Sequence, residues 1–217
     1  MKKNTEPIQC NRFYHIYNRG INGEDIFKEL RNYDYFLQQY AKYIQPVAET
    51  YAYCLLKNHF HLLVKTRSAT EIITNIRPNV GEVLNLADVD VNVEIQATKH
   101  ISNQFAKLFN SYAQAVNKAH KRTGGLFEEP FRRIPVNTDA YFLELVYYIH
   151  ANPQKHGFVD DFRSYPHSSY HTHLSKSDTK LCREVLLDWF GDAEAYERYH
   201  LANQILNNLN KYDIEFE

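Results

Sequence analysis

The run Phe13 to Arg19 (FYHIYNR) is rich in aromatic and β-branched residues and stops at Arg19-Gly20, which predicts a strand closed by a turn. After Asn22-Gly23 the apolar positions Ile26, Phe27, Leu30, Phe36, Leu37 and Tyr40 recur at mostly helical spacing, so a helix is predicted from Glu24 to Ile44, stopped by Pro46. Two strand-like runs follow, Ala48 to Leu56 and His59 to Thr66, with Lys57-Asn58 as the hairpin turn between them. From His100 to His120 the residues Ile101, Phe105, Leu108, Phe109, Tyr112 and Val116 fall at three- and four-residue steps, an amphipathic helix ended by Arg122-Thr123-Gly124-Gly125. Phe131 to Asn137 (FRRIPVN) predicts a short strand that Pro135 confines to an edge or a bulge, and Asn137 or Thr138 can cap a helix from about Asp139 to Asn152.

That order is β-α-β-β-α-β with an appended helix, the split βαβ pattern of ferredoxin-like α+β folds, and it predicts an antiparallel sheet with the unit's helices on one face. Residues 68–98 contain Pro78-Asn79, Gly81 and several acids without a long periodic run, and read as an inserted excursion, partly helical at most. From Asp178 onward LCREVLLDWF and then Ala193 to Asn210 read as helices. The expected organisation is therefore an α+β domain over residues 1–172, with the acidic insert at 68–98, and a helical C-terminal extension over residues 173–217.

The 217 residues, 44% of them hydrophobic, suffice for one substantial core. No apolar run reaches the length of a membrane span and MKKNTEPIQC lacks the apolar centre of a signal peptide, so a cytoplasmic protein is expected. The three scattered cysteines, Cys10, Cys54 and Cys182, suit a reducing compartment and argue against a disulfide framework or a cysteine zinc site. A net charge of -1 is a poor advertisement for nucleic-acid binding until it is divided along the chain. Residues 178–217 carry nine acids against four bases and residues 68–98 five against one. The remainder is net positive, with Lys118, Lys121, Arg122, Arg132 and Arg133 clustered within it.

The stretch KNHFHLLVK carries the first candidate chemistry. Residues two apart in a strand share a face, so His59 and His61 would present two imidazoles side by side, a pair able to hold one divalent ion, while Phe60, Leu62 and Val64 face the core. A second such pair, His171 and His173, has no strand context and reads as surface loop. In LELVYYIHANP, Tyr148 and Asn152 lie four apart and so on one helical face, whereas His150 points about 200° away from Tyr148.

These residues resemble a known family. His59-Phe60-His61 looks like the histidine-hydrophobic-histidine (HUH) motif, and it stands in order with YHIYNRG, FNSYAQAVNKAHKRTGGLFEEPFRR, YYIHANPQKHGFV and the SSY at Ser168 to Tyr170. Together they resemble the single-tyrosine HUH transposases, in particular relatives of the REP-associated tyrosine transposases, over about residues 12–66 and 100–170. The resemblance implies that His59, His61 and Asn152 hold Mg²⁺ or Mn²⁺ and that Tyr148, rather than the adjacent Tyr147, is the nucleophile that cuts single-stranded DNA beside a hairpin. It implies DNA as the partner, and because the family includes domain-swapped dimers as well as monomers it leaves a homodimer open. DNA contact would fall to Arg19, Lys57, Arg122, Arg132, Arg133 and Lys155, with Lys65 as a further cation. Tyr14, Tyr17 or Tyr112 could stack unpaired bases, whereas Phe127 and Phe131 look like loop anchors. Two other classes stay open on the sequence: a hairpin-binding protein on the same fold without cleavage, and a hydrolase using His59 and His61 on zinc with water as nucleophile.

Overall fold

The computed structural model describes residues 7–76 and 91–210, so residues 77–90 of the acidic segment lie outside the described residues. Four strands, β1 (Phe13–Arg19), β2 (Ala48–Leu55), β3 (His59–Thr66) and β4 (Arg132–Pro135), form one sheet in the order β2-β3-β1-β4. Every neighbouring pair is antiparallel. β1 and β2 therefore run in the same direction with β3 between them, which is why the α1 crossover (Leu30–Ile44) is needed to connect them.

The helix after β1 begins later than its apolar spacing suggests. Residues 24–29 are held as a loop because the Ile26 and Phe27 amides donate to the Lys57 carbonyl at 2.9 Å and the Tyr112 hydroxyl donates to the Ile26 carbonyl at 2.8 Å. α1 then starts at a reciprocal capping box, in which Asn32 Oδ1 accepts from the Glu29 amide at 2.9 Å. The described ends of the acidic segment are helical: α2 spans Ala69–Ile76, and α3 runs over Val91–Ala119, longer than its strongest apolar stripe.

The two helices of the β-α-β-β-α-β unit, α1 and α3, share one face of the sheet as expected, and the appended helix after β4 covers the other. Tyr14, Ile16, Phe60, Leu62 and Val64 join α1 and α3 in one core, whereas Ala52, Cys54 and Leu63 join Phe142, Leu145, Val146 and Ile149 of α4 (Asp139–Lys155) in another. The cause is legible in β3, where Leu62, Leu63 and Val64 are consecutive and all buried; a single helical layer would leave Leu63 in water.

α4 is capped by Thr138, whose hydroxyl oxygen accepts from the Tyr141 amide at 3.2 Å, and it continues through Pro153 rather than ending at Asn152. The outer edge of β2 is covered by the segment before α5 (Tyr170–Leu174): the Leu55 amide donates to the His167 carbonyl and the Tyr53 amide to Ser169 Oγ, both at 2.9 Å. That attachment draws α5 inward, so His173 is buried and is not a surface loop residue; His171 on the same short helix is exposed. α6 (Arg183–Phe190) and α7 (Ala193–Asn210) add Leu186 and Tyr196 to the α4-side core. Among the described residues no helix is long and apolar enough to cross a membrane.

Candidate active site

The pleat of β3 turns His59 and His61 toward α4, on the side opposite Phe60. Their registered partners on β1 are Arg19 and Tyr17, and Tyr17 stacks on His61 with ring centroids 5.6 Å apart. α4 crosses this face with Tyr148 and Asn152 one turn apart. The Tyr148 ring stands edge-on to His61 at 5.5 Å, and Asn152 Oδ1 is 3.1 Å from His59 Nε2. The structure thus brings His59, His61, Tyr148 and Asn152 of one chain together. Tyr147 points away, toward Phe162 and His200, and His150 is bonded to Ser169 and His200.

Burial sets the charge of this site. It lowers His59 to about 4, with His156 and then Arg19 adding smaller repulsions, and it holds His61 well below the ordinary histidine range. Both imidazoles are neutral near pH 7, the form that carries a lone pair for a cation. The hydrogen bonds of His59 point the same way. Its Nδ1 lies 2.7 Å from Asn58 Oδ1 and its Nε2 faces Asn152 Oδ1, yet a neutral imidazole has a single N–H for two acceptor oxygens. A cation between His59 Nε2 and Asn152 Oδ1 would resolve that conflict, with Nδ1–H left to donate to Asn58. Asn152 Nδ2 is buried without a partner among the described residues, so the amide either presents its oxygen to a cation or, with none bound, turns to donate Nδ2–H to His59 Nε2. His59, His61 and Asn152 therefore fit a divalent ion.

The cations expected to touch DNA divide into groups. Arg19 and Lys155 border the site: Arg19 is 3.6 Å from Glu128, and Lys155 sits 5.6 Å over the Tyr148 ring. Arg132 pairs with Tyr17 across the strands and so shares the histidine face, whereas Arg133 pairs with Ile16 on the other face and lies over Phe131. Lys57 is bound to Asp25 at 2.9 Å, and Arg122 is clamped by Glu24 and Asn117. Lys65 lies 5.5 Å over the Phe13 ring. Of the aromatic candidates, Tyr14 and Tyr112 are buried in the α1/α3 core and offer no stacking surface, while Tyr17 remains at the site. Phe127 and Phe131 pack as anchors in that same core. Gly124 adopts a φ of +85°, a left-handed conformation suited to the turn after α3.

Two histidines of this cluster were not among the sequence candidates. His15 Nε2 is 2.9 Å from His61 Nδ1, and the His156 ring lies 4.9 Å from that of His59. The strand alternation of YHIYNR puts His15 on the same side as Tyr17, but only the β1–β3 register places that side against His61.

An α+β unit with a four-stranded antiparallel sheet and helices on both faces is the class that these observations define, and its fold is like that of a solved REP-associated tyrosine transposase. The chain resembles the REP-associated tyrosine transposases. A Haemophilus influenzae protein named "Putative REP-associated tyrosine transposase" is 26% identical over 125 residues, 57% of this chain. The chain spans 59% of that relative's length. A solved structure, "Structure of the REP associates tyrosine transposase bound to a REP hairpin", superposes with a TM-score of 0.55 over 81% of this chain and 86% of the other at 16% identity, a likeness of fold. No family model matches the sequence.

Proposed function

We propose that this chain is a single-tyrosine, metal-dependent nuclease and strand transferase that cuts single-stranded DNA beside a hairpin, acting as a transposase in the cytoplasm on a ferredoxin-like sheet. The observation that carries this reading is the convergence of Tyr148 on His61, with rings 5.5 Å apart, beside the His59–Asn152 contact. The similarity to REP-associated tyrosine transposases supports DNA, and a hairpin in it, as the substrate.

In this reading the Tyr148 phenol oxygen attacks the scissile phosphorus in line. The new O–P bond forms as the P–O3′ bond breaks, leaving a 5′-phosphotyrosyl link and a free 3′-hydroxyl that takes up the proton lost by the phenol. The ester is kept, so the 3′-hydroxyl can attack the phosphotyrosine and rejoin strands without an energy source. A phenol titrates near pH 10, and its attack at neutral pH needs help. Mg²⁺ or Mn²⁺ held by His59, His61 and Asn152 would supply Lewis acidity toward the phosphate. Three neutral ligands leave the ion's charge uncompensated, which favours an anionic substrate. Lys155, over the Tyr148 ring, adds positive charge where the phosphate must sit. Arg19 and Arg132 flank the same face and are assigned to the backbone of the bound strand. The nucleophile and the ligands come from one chain, so cleavage is proposed to occur within the subunit, whether or not the protein dimerises.

Incubation with hairpin-bearing single strands and Mn²⁺ should yield a denaturation-resistant protein–DNA adduct, and Tyr148→Phe should abolish it. Adduct formation undiminished in Tyr148→Phe would remove Tyr148 as nucleophile. Hairpin binding without cleavage in either metal would instead make the chain a DNA-binding protein. Turnover without a protein-linked product would point to a hydrolase.

A further inference from the structure

We propose that His15 is the positioning residue for His61. Its Nε2 accepts a hydrogen bond from His61 Nδ1–H and thereby keeps the Nε2 lone pair of His61 open to the cation. The inference rests on the reading of His61 as a ligand given above. It concerns which nitrogen of a neutral imidazole carries the single proton.

His15 sits on β1 opposite Leu63, so it is the diagonal neighbour of His61, whose direct partner is Tyr17. Long or aromatic side chains can meet across that diagonal. The two rings do so nearly parallel, with centroids 5.1 Å apart, an interplanar angle of 26° and 2.9 Å between His15 Nε2 and His61 Nδ1. The Tyr148 ring stands edge-on to His15 as well, at 6.1 Å, so the contact lies against the proposed nucleophile.

A purely structural account of His15 is poor. It is 0% exposed on a central strand, where Val or Ile would pack without any polar atom to satisfy. Its Nδ1 is instead buried without a partner among the described residues, a departure from the usual pairing of buried polar atoms. The other ring nitrogen spends its one contact on His61. Two proton arrangements satisfy that contact. If His15 donates, His61 carries its proton on Nε2 and has no lone pair there for a cation. If His61 donates, its Nε2 lone pair is open and the one proton of His15 sits on its unpartnered Nδ1, a cost of burial that the arrangement carries for the sake of the ligand.

Histidine ligands generally donate their second N–H to a carboxylate, a carbonyl or water, which fixes the ring and its tautomer. A neutral imidazole as acceptor does this without placing a negative charge beside a site that has to admit phosphate. Full burial also keeps water from replacing His15 in the role.

The test uses His15→Phe, which keeps a ring and removes the acceptor, and His15→Gln, whose side-chain oxygen can still accept. Mn²⁺ binding to the full chain is measured by loss of the free-ion paramagnetic resonance signal, after thermal melting shows that each variant is folded. His15→Phe is expected to weaken Mn²⁺ binding about 10- to 100-fold, with His15→Gln restoring most of it. Nitrogen NMR should find His61 protonated on Nδ1 in the metal-free wild type, and moved to Nε2 in His15→Phe. A folded His15→Phe protein with wild-type Mn²⁺ affinity, or wild-type His61 protonated on Nε2, would overturn the proposal. If the wild type binds no Mn²⁺, the metal reading fails and the NMR result alone decides the role of His15. If His15→Phe does not fold, the wild-type tautomer and the affinity of His15→Gln decide it.

Discussion

Arg122 and Arg132 are ten positions apart, and both were candidates for DNA contact, yet the structure gives them different work. Arg122 is partly buried against Glu24 and Asn117, so it ties the loop after β1 to the end of α3. Arg132 shares the histidine face and makes no ion pair among the described residues. Arg122→Ala should therefore cost stability, about 1 kcal/mol in urea unfolding. It should leave the salt dependence of DNA binding unchanged. Arg132→Ala should leave stability within about 0.5 kcal/mol and lower the slope of log K against log salt by about 0.7 on single strands. An unchanged slope in Arg132→Ala would remove it from the interface. The sequence shows which residues are cations but not which are already paired, because Glu24 and Arg122 meet only through the fold. The same limit hid His15. Tyr148 and Asn152 could be linked in advance because their four-residue spacing acts within one helix, whereas the His15–His61 contact depends on the register of two strands 46 residues apart in sequence.

At the scale of elements, apolar periodicity was a good guide to where helices and strands lie and a poor one to where they end. The stripe from Ile101 to Val116 located α3, but α3 starts at Val91 in a stretch without a strong stripe. Glu24 to Glu29 have helical spacing and still form a loop, since the loop's amide bonds to the Lys57 carbonyl and the bond that the Tyr112 hydroxyl donates to the Ile26 carbonyl outweigh local preference. Two-sided burial of the sheet was present in the sequence as the unbroken run Leu62-Leu63-Val64, though alternation around the histidines suggested one covered face. Leu63→Ala should cost about 2 to 5 kcal/mol by denaturant midpoint, as for a fully enclosed leucine, whereas an uncovered face would make the change nearly neutral. Thr138→Ala should cost about 1 kcal/mol through the lost α4 cap, and should loosen the helix that carries Tyr148 and Asn152.

At the scale of the whole molecule, α4 joins two buried histidine systems, one on each flank. On the flank away from the proposed site, His150 Nδ1 meets His200 Nε2 at 3.0 Å, and burial lowers both His173 and His200 to about 4. The unfolded chain would bind protons at these groups near pH 6.5 and the folded chain only near pH 4, so stability is complete above about pH 7 and is lost as pH falls through that window. Each such group contributes roughly 3 kcal/mol to the loss once pH is below both values. Thermal melts should therefore fall steeply between pH 6.5 and 4, and a flat profile would contradict the neutral cluster. The acid-labile flank holds α7 against α4, so the helix that presents Tyr148 is braced by the C-terminal segment as well as by the sheet. In the proposed function this braced helix delivers a nucleophile to a cation-binding histidine pair. The most direct measurement is mass-spectrometric mapping of the peptide left attached to DNA after reaction with a hairpin-bearing single strand and Mn²⁺. The account predicts a 5′-phosphate ester on Tyr148; a link to Tyr147 or any other residue, or cleaved DNA with no linked peptide, would contradict it.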